Sequence, residues 1–258
     1  MTQTVPRFAA LHAPAHWRTV DFISDLHLQA SEPATFALWQ RYMQNTPADA
    51  VFMLGDLFEV WVGDDLVKSD GASFEKQCTD IIRTTGERLA LFFMHGNRDF
   101  LLGQGLLSDC KTSLLDDPCV LHWADQNYLL SHGDALCIDD LDYMQFRAQV
   151  RTENWQQTFL SKPLAERQAI AKALRAQSEA RKNSGVQYAD VDHNFARAWL
   201  CAAKSNTLIH GHTHKPANHD LAAGLRRIVL SDWDGAATPA RAEVLRLTPS
   251  GIERISLI

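Results

Sequence analysis

Seven side chains of types that ligate metal ions occur along this chain in a fixed order. Asp25 and His27 stand in Asp25-Leu26-His27, Asp56 follows Gly55, and Asn97 lies in Gly96-Asn97-Arg98-Asp99. His132 precedes Gly133-Asp134, and His212 and His214 fall in Gly211-His212-Thr213-His214. Asp25 and His27, like His212 and His214, are spaced i, i+2, so in extended backbone each pair would share a face. Two carboxylates, four imidazoles and one amide oxygen suit Mn²⁺, Fe²⁺ or Zn²⁺ better than Ca²⁺ or Mg²⁺ alone. Seven donors exceed one tetrahedral site and suit two ions joined by one carboxylate. Two cations about 3.5–4 Å apart can clamp a phosphoryl group and activate water at neutral pH. The adjoining glycines let backbone approach metal or phosphate closely.

Taken singly these signals are weak. Asn97 is also a favoured turn residue, His212 and His214 could be surface histidines at a strand end, and Asp134 could form a turn or orient a ligating histidine. Their weight comes from what precedes each one. Thr19–Ile23, Ala50–Leu54, Leu89–Met94, Asn127–Ser131 and Thr207–Ile209 read as short buried strands, and each runs directly into one of the motifs. Ligands of open α/β sheets sit just past the carboxyl ends of the strands, so five such ends can converge on one site. Cys119–Trp123 pairs with Asn127–Ser131 as a hairpin, and Arg226–Ser231 and Ala242–Leu247 are late strands. Phe36–Met43 reads as a helix capped by Ser31 or Thr35, and Phe74–Thr85 as an amphipathic helix with Phe74, Cys78, Ile81 and Ile82 on one face.

Residues 1–18, with Pro6 and Pro14, read as an N-terminal extension, and 19–258 as the main domain. Residues 141–190 differ from the rest of that domain. They show no strand pattern, have helical character, and carry eight positive against five negative side chains in a chain of net charge −6. A helix is expected from Leu164 to Arg181, after Pro163. This insertion reads either as a solvated helical face or as a cap over an anionic substrate or membrane surface.

The 258 residues are 46% hydrophobic and 22% charged, which excludes a disordered chain. The net charge argues against a dedicated nucleic-acid binder. The longest apolar run, Leu89–Met94, is far too short to span a bilayer, and Arg7–Ala15 lacks the apolar core of an export signal. Five cysteines without a C-x-x-C pair read as reduced thiols of a cytoplasmic protein.

The five motifs resemble those of the calcineurin-like metallophosphoesterases. Longer stretches, Gly55-Asp56-Leu57-Phe58-Glu59-Val60-Trp61-Val62-Gly63-Asp64-Asp65, His95–Leu101, Ser131–Cys137 and Ile209–Pro216, are similar to the UDP-2,3-diacylglucosamine pyrophosphohydrolases of lipid A biosynthesis, from about residue 20 to about residue 235. The resemblance implies an α/β fold, a two-sheet β-sandwich flanked by helices with a helical cap insertion. It implies two divalent ions, of which Mn²⁺ is expected, the first held by Asp25, His27, Asp56 and His214 and the second by Asp56, Asn97, His132 and His212. Asp56 would bridge them. Substrate contacts are implied for Asn97, Arg98, Asp140, Ser178, Lys182, Asn183 and His212, although the position where the family carries a lysine reads Gly185. The implied reaction is hydrolysis of UDP-2,3-diacylglucosamine to UMP and 2,3-diacylglucosamine 1-phosphate, by hydroxide activated at the dinuclear centre. A monomer, peripheral on the cytoplasmic face of the inner membrane, is expected.

Arg98 supports a diphosphate substrate on its own chemistry. Many calcineurin-like enzymes resemble Gly-Asn-His here and use the histidine to protonate an alkoxide. Arginine cannot give up a proton at neutral pH but can grip phosphate through two hydrogen bonds. A phosphate leaving group, with a second pKa of about 6, needs little protonation. Phe146, Val150, Trp155, Phe159 and Leu164 of the insertion either line an acyl groove or form its own packing. The alternatives are another phosphoesterase on the same scaffold, such as a cyclic-nucleotide or nucleotide-sugar phosphodiesterase, and a non-catalytic scaffold, which the full ligand set disfavours.

Overall fold

The computed structural model describes residues 4–68, 73–183 and 189–258, and the side chains of these except residues 73 and 178–183. Two mixed six-stranded sheets are stacked with helices outside both. In the first sheet β1 (Ala9–His12) runs parallel to β6 (Cys119–Trp123), β6 antiparallel to β7 (Gln126–Leu130), and β7 and β10 (Arg226–Val229) both parallel to β8 (Thr207–His210). Strand β9 (Ala217–Asp220) closes its far edge, antiparallel to β10. The second sheet aligns β2 (Val20–Ile23), β3 (Ala50–Leu54), β4 (Ala90–Met94) and β5 (Thr112–Leu115) in parallel. Strands β11 (Glu243–Thr248) and β12 (Gly251–Ser256) extend it antiparallel from β2.

The near-continuous apolar runs of the central strands follow from burial on both faces. Along β3, Ala50, Phe52 and Leu54 enter the core between the sheets, where they meet Phe22, Phe92, Leu121, Leu130 and Ile209. Val51 and Met53 point the other way, into a core shared with Trp39 and Met43 of α1 (Pro33–Asn45) and Cys78 and Ile82 of α2 (Ser73–Gly86). Behind the first sheet, Leu129 and Leu208 pack on Ala196, Trp199 and Leu200 of α7 (His193–Ala202).

The helix α1 begins earlier than its apolar period suggests. Glu32 occupies the N-cap position without a side-chain bond, and Pro33 opens the helix. Proline's fixed φ and missing N–H make that position favourable, so neither Ser31 nor Thr35 caps it; the Thr35 hydroxyl instead accepts from the Gly235 amide at 2.9 Å. In residues 4–18, β1 adds an edge strand and Trp17 is buried between the sheets. Four half-exposed residues gave β1 no readable period. After the short α3 (Gln104–Asp109), the described part of the insertion carries the helices α4 (Leu141–Val150), α5 (Glu153–Leu160) and α6 (Leu164–Asn183), one after another.

A buried ion pair ties the second sheet to α1. Asp21 on β2, fully buried, accepts from Arg246 Nε at 2.8 Å and Nη2 at 2.9 Å, and from the Tyr42 and Thr46 hydroxyls at 2.9 Å each. Asp21→Ala leaves the guanidinium without its partner. Because Arg246 is partly exposed, the change is expected to cost about 1–3 kcal/mol, measured as a fall in the urea midpoint at unchanged m-value.

Candidate metal centre

The strand registers bring the motifs level. Ile23 is paired with Met53, Leu54 with Met94, and Leu130 with Ile209. The loops beyond these ends are then laced together by backbone. The amides of Leu26 and His27 donate to the Asp56 carbonyl at 2.9 and 3.1 Å, and that of Gly211 to the His132 carbonyl at 2.9 Å. The His212 amide donates to the Asp25 carboxylate at 2.9 Å.

Five of the seven expected ligands sit in left-handed backbone: Asp25, His27, Asp56, His212 and His214, with φ between 48° and 67°. The extended geometry expected for the i, i+2 pairs is therefore not what brings them in. Each chain turns sharply at the strand end, and the turn aims the side chain. Such residues cost about 1 kcal/mol or more apiece and persist where the surroundings over-determine them. The glycines serve this crowding. A Cβ at Gly96 would overlap the Asp56 carboxylate, and one at Gly211 would overlap Asp25 and Ser24. These glycines admit the neighbouring ligand loop.

Two donor clusters result. In the first, His214 Nε2 lies 3.3 Å from Asp25 Oδ1 and 3.2 Å from His27 Nε2. In the second, the Asn97 side-chain amide lies 3.1 Å from His132 Nε2 and 2.9 Å from His212 Nδ1, with Asp56 Oδ1 3.8 Å from His132 Nε2. Asp25 reaches both groups, since ligand atoms of Asp25, Asp56 and His132 also fall within 4.8 Å of one another. The Asp25 Oδ2 atom, however, already accepts from the Ser24 hydroxyl at 2.6 Å and from the His212 amide.

The donor set fits cations on its own chemistry. Turned by half a rotation, the Asn97 amide would donate to both imidazoles and accept from Arg98 Nε at 3.2 Å. That orientation satisfies the amide in the absence of a cation, and the opposite one turns its oxygen to the same point as His132 Nε2 and His212 Nδ1, so the group can serve as donor or as ligand there. The His132 Nδ1 donates to the Leu54 carbonyl at 2.9 Å, which leaves Nε2 directed inward. Burial opposes ionisation of Asp25, but His214, His132 and His27 lower its pKa well below the usual carboxylate range.

Three residues outside the expected set hold the site. Asp99, fully buried, accepts from the amides of Gly96 at 2.9 Å and Leu57 at 2.7 Å, and so joins the Asn97 loop to the Asp56 loop. Burial, with Asp56 beside it, pushes its pKa up to about 6. Glu59 lies 3.2 Å from His27 Nδ1 and 3.8 Å from Arg98 Nη1, and pairs with Arg175 of α6. Asp134 is the anchor of α4: it accepts from the Tyr143 hydroxyl at 2.6 Å and from Arg147 Nε at 2.8 Å. The Tyr143 ring stacks on that of His212, centroids 5.8 Å apart. Arg151 donates to the Gly96 carbonyl at 2.8 Å, and Arg167 to Val62 and Asp65. The signal for these contacts was present as spacing. Tyr143, Arg147 and Arg151 recur every four residues, and Arg167 and Arg175 stand eight apart, so each set lines one helix face.

Arg98 is placed at the rim of the second cluster, its amide donating to Asp56 Oδ1 at 2.8 Å and its Nε 3.9 Å from Asp56 Oδ2. Asp140 caps α4, accepting from the Tyr143 amide at 3.1 Å. The side chains of Ser178, Lys182 and Asn183 lie outside the described residues. Of the apolar residues expected in an acyl groove, Val150 and Phe159 are buried, and Trp155 and Leu164 pack on the main core. Phe146 alone among them is exposed, with Leu141, Leu160 and Leu174 as further exposed apolar side chains of the insertion.

This is a phosphoesterase: the chain belongs to the calcineurin-like phosphoesterase family, which it matches over residues 18–216. The family implies divalent metal ions. The chain is 44% identical, over 92% of its length and 98% of the relative's, to a UDP-2,3-diacylglucosamine hydrolase of Chromobacterium violaceum. It is 42% identical to a protein of the same name from Stenotrophomonas maltophilia, covering 83% of this chain and 91% of that one. A third so named, from Xanthomonas campestris pv. campestris, is 40% identical over 91% and 97% of the two chains.

The metal-free site should be strongly pH-dependent. Burial alone would lower the His132 pKa, but Asp56, Asp134 and Asp25 outweigh it and raise it to about 9. A proton on Nε2 competes with a metal there, so affinity rises with pH and levels off above that value. Manganese titrations of the chelator-stripped protein are expected to show an apparent Kd falling about tenfold per pH unit between pH 6 and 8, with proton release seen as a buffer-dependent enthalpy.

Proposed function

We propose that this protein hydrolyses the diphosphate of UDP-2,3-diacylglucosamine to UMP and 2,3-diacylglucosamine 1-phosphate in lipid A biosynthesis. The observation that carries this reading is the pair of donor clusters with Arg98 at their rim. Asp25, His27, Asp56 and His214 would hold one divalent ion, and Asp56, Asn97, His132 and His212 the other. Asp56 is the proposed bridge, and Asp25, whose ligand atoms reach both groups, lies beside it. Manganese is the proposed metal, matching the mixed nitrogen and oxygen donors. Bound there, the two ions would supply Lewis-acid charge to a phosphoryl group and lower the pKa of a water.

The chain's own residues account for the rest of the reaction. Arg98 is held near Asp56 and Glu59, within reach of any phosphate entering the clusters. Its guanidinium forks onto two phosphate oxygens and stabilises the charge that develops as the anhydride bond breaks. The leaving phosphate needs no proton donor, which fits a site whose third motif carries arginine. Asp99 keeps Asn97 and Arg98 in register with Asp56. Asn97, His212, Asp140 and, in α6, Ser178, Lys182 and Asn183 are the proposed further substrate contacts. Residues 141–190 act as the cap of the 19–258 domain, with 1–18 as an extension to it. Leu141, Phe146, Leu160 and Leu174 offer the acyl chains an apolar surface, and peripheral contact of a monomer with the cytoplasmic face of the inner membrane follows from a lipid substrate. Among the described residues no helix is long and apolar enough to cross a membrane.

Incubation with UDP-2,3-diacylglucosamine and manganese should release UMP and the lipid monophosphate, and chelation should abolish it. Turnover of a chromogenic phosphodiester with none of the lipid would overturn the substrate assignment. Arg98→Ala is expected to lower kcat/KM by about 10²–10³-fold while leaving manganese affinity in place. Arg98→Lys should recover only a small part, since an ammonium cannot fork onto two oxygens.

A further inference from the structure

Behind the His212 loop, on the side of the first sheet that α7 covers, lies a cation that the chemistry above does not use. Arg227 of β10 is wholly buried, and its strand is paired so that Arg227 stands opposite Leu208, two residues before His210. Its Nη1 donates to Asp190 Oδ1 at 2.9 Å and reaches His210 Nε2 at 3.5 Å, and its Nη2 reaches Nε2 of His193, at the start of α7, at 3.4 Å. Asp190 lies on the chain's return from the cap helices to α7.

A guanidinium offers only donors. The His210 nitrogen that faces it therefore presents a lone pair, and the ring hydrogen sits on Nδ1, 2.8 Å from the Gly211 carbonyl. His210 is itself fully buried, and a Cβ at Gly133 of the His132 loop would lie 2.7 Å from its Nδ1. On either side of that ring the main chain is already committed. The His210 carbonyl accepts from the Leu230 amide at 2.7 Å, the Gly211 amide donates to His132, and the His212 amide donates to Asp25.

We propose that Arg227 is a positioning residue for the metal centre. With the Gly211 carbonyl on Nδ1 setting the tautomer, the guanidinium 3.5 Å from Nε2 favours the same tautomer and fixes the angle of the His210 ring, which orients the Gly211–His212 peptide, and with it the His212 imidazole and the amide that holds Asp25. Asp190 supplies the countercharge, so the return from the cap and the His212 loop are held by one side chain. An apolar residue of equal size would fill the same space, but it would leave Nε2 of His210 facing no donor.

The inference rests on the two-ion reading, and the test separates the two. In the wild-type protein, ¹⁵N spectra of the imidazoles should show His210 protonated at Nδ1 and bare at Nε2; the opposite tautomer would overturn the proposal without any variant. Manganese binding is then measured by calorimetry for wild type, Arg227→Met, His210→Phe and the double variant. Each single change is expected to weaken one of two manganese equivalents by about tenfold, and the double variant to be no weaker than the worse single one. Losses that multiply in the double variant would mean that the two side chains act independently and would overturn the proposal, as would wild-type affinity in Arg227→Met. Should Arg227→Met fail to fold, Asp190→Ala, a change at a partly exposed site, is expected to weaken the same equivalent by about twofold or more; unchanged binding there also overturns it. A wild-type protein that binds no manganese would sink the two-ion reading together with this one, whereas two equivalents bound equally by wild type and Arg227→Met would sink only the role of Arg227.

Discussion

The constraint on which this structure turns is the crowding of ligating groups. The Asn97 amide, His132 Nε2 and His212 Nδ1 meet within about hydrogen-bond distance, and His27, His214 and Asp25 do so beside them. Such groups stay this close only with hydrogens or cations between them. The fold brings them together through five left-handed turns at strand ends and glycines into which the neighbouring loop fits. That strain is opposed by the two-sided cores of the central strands and by hydrogen bonds between the loops. The rigidity of the strand ends and the chemistry of the site are thus one property: donors that cannot move apart are ready for metal without reorganisation.

The helical insertion is built into this arrangement. Arg147, Arg151, Arg167 and Arg175 point from α4 and α6 onto Asp134, Gly96, Asp65 and Glu59. Much of the basic charge of the segment is therefore directed inward. Asp134 is held well below the usual carboxylate range: burial would raise its pKa, and Arg147, His132 and Arg151 more than reverse that. It stays ionised, and so keeps Tyr143 and Arg147 in place. A charged carboxylate between His132 and two arginines of the insertion couples the seating of α4 to the donor clusters electrostatically.

What could be read from the sequence was what short-range physics writes there. Apolar runs ending in Asp, Asn or His with glycine marked the strand ends, and the donor types marked the chemistry. The left-handed turns were not legible, because the i, i+2 spacing is equally compatible with extended backbone, and only the loop-to-loop hydrogen bonds select the turn. The strand β1 was missed because four half-exposed residues at a sheet edge carry no period. The sequence left open whether Trp155, Phe159 and Leu164 line a groove or pack, because apolar composition cannot say which neighbour covers a side chain; all three pack against the main core. Glu59 had no motif of its own, since its position depends on an arginine more than a hundred residues away.

Glu59 also sets how loosely Arg98 is held. The Arg98 guanidinium stands near Asp56 and Glu59 at distances of 3.8–3.9 Å, longer than tight charge-assisted bonds. At those separations, partly exposed, the pairing is weak, and the side chain is held near its working place without being locked to a carboxylate. A phosphate brings two oxygens in a plane that fits the fork better than either carboxylate does at this range. Exchange of a loose carboxylate contact for a bidentate phosphate grip gains most as charge accumulates on the phosphoryl oxygens. The same loose hold on a histidine would deliver a proton; on Arg98, in the function proposed, it would deliver charge, which is what rupture of a bond between two phosphates requires.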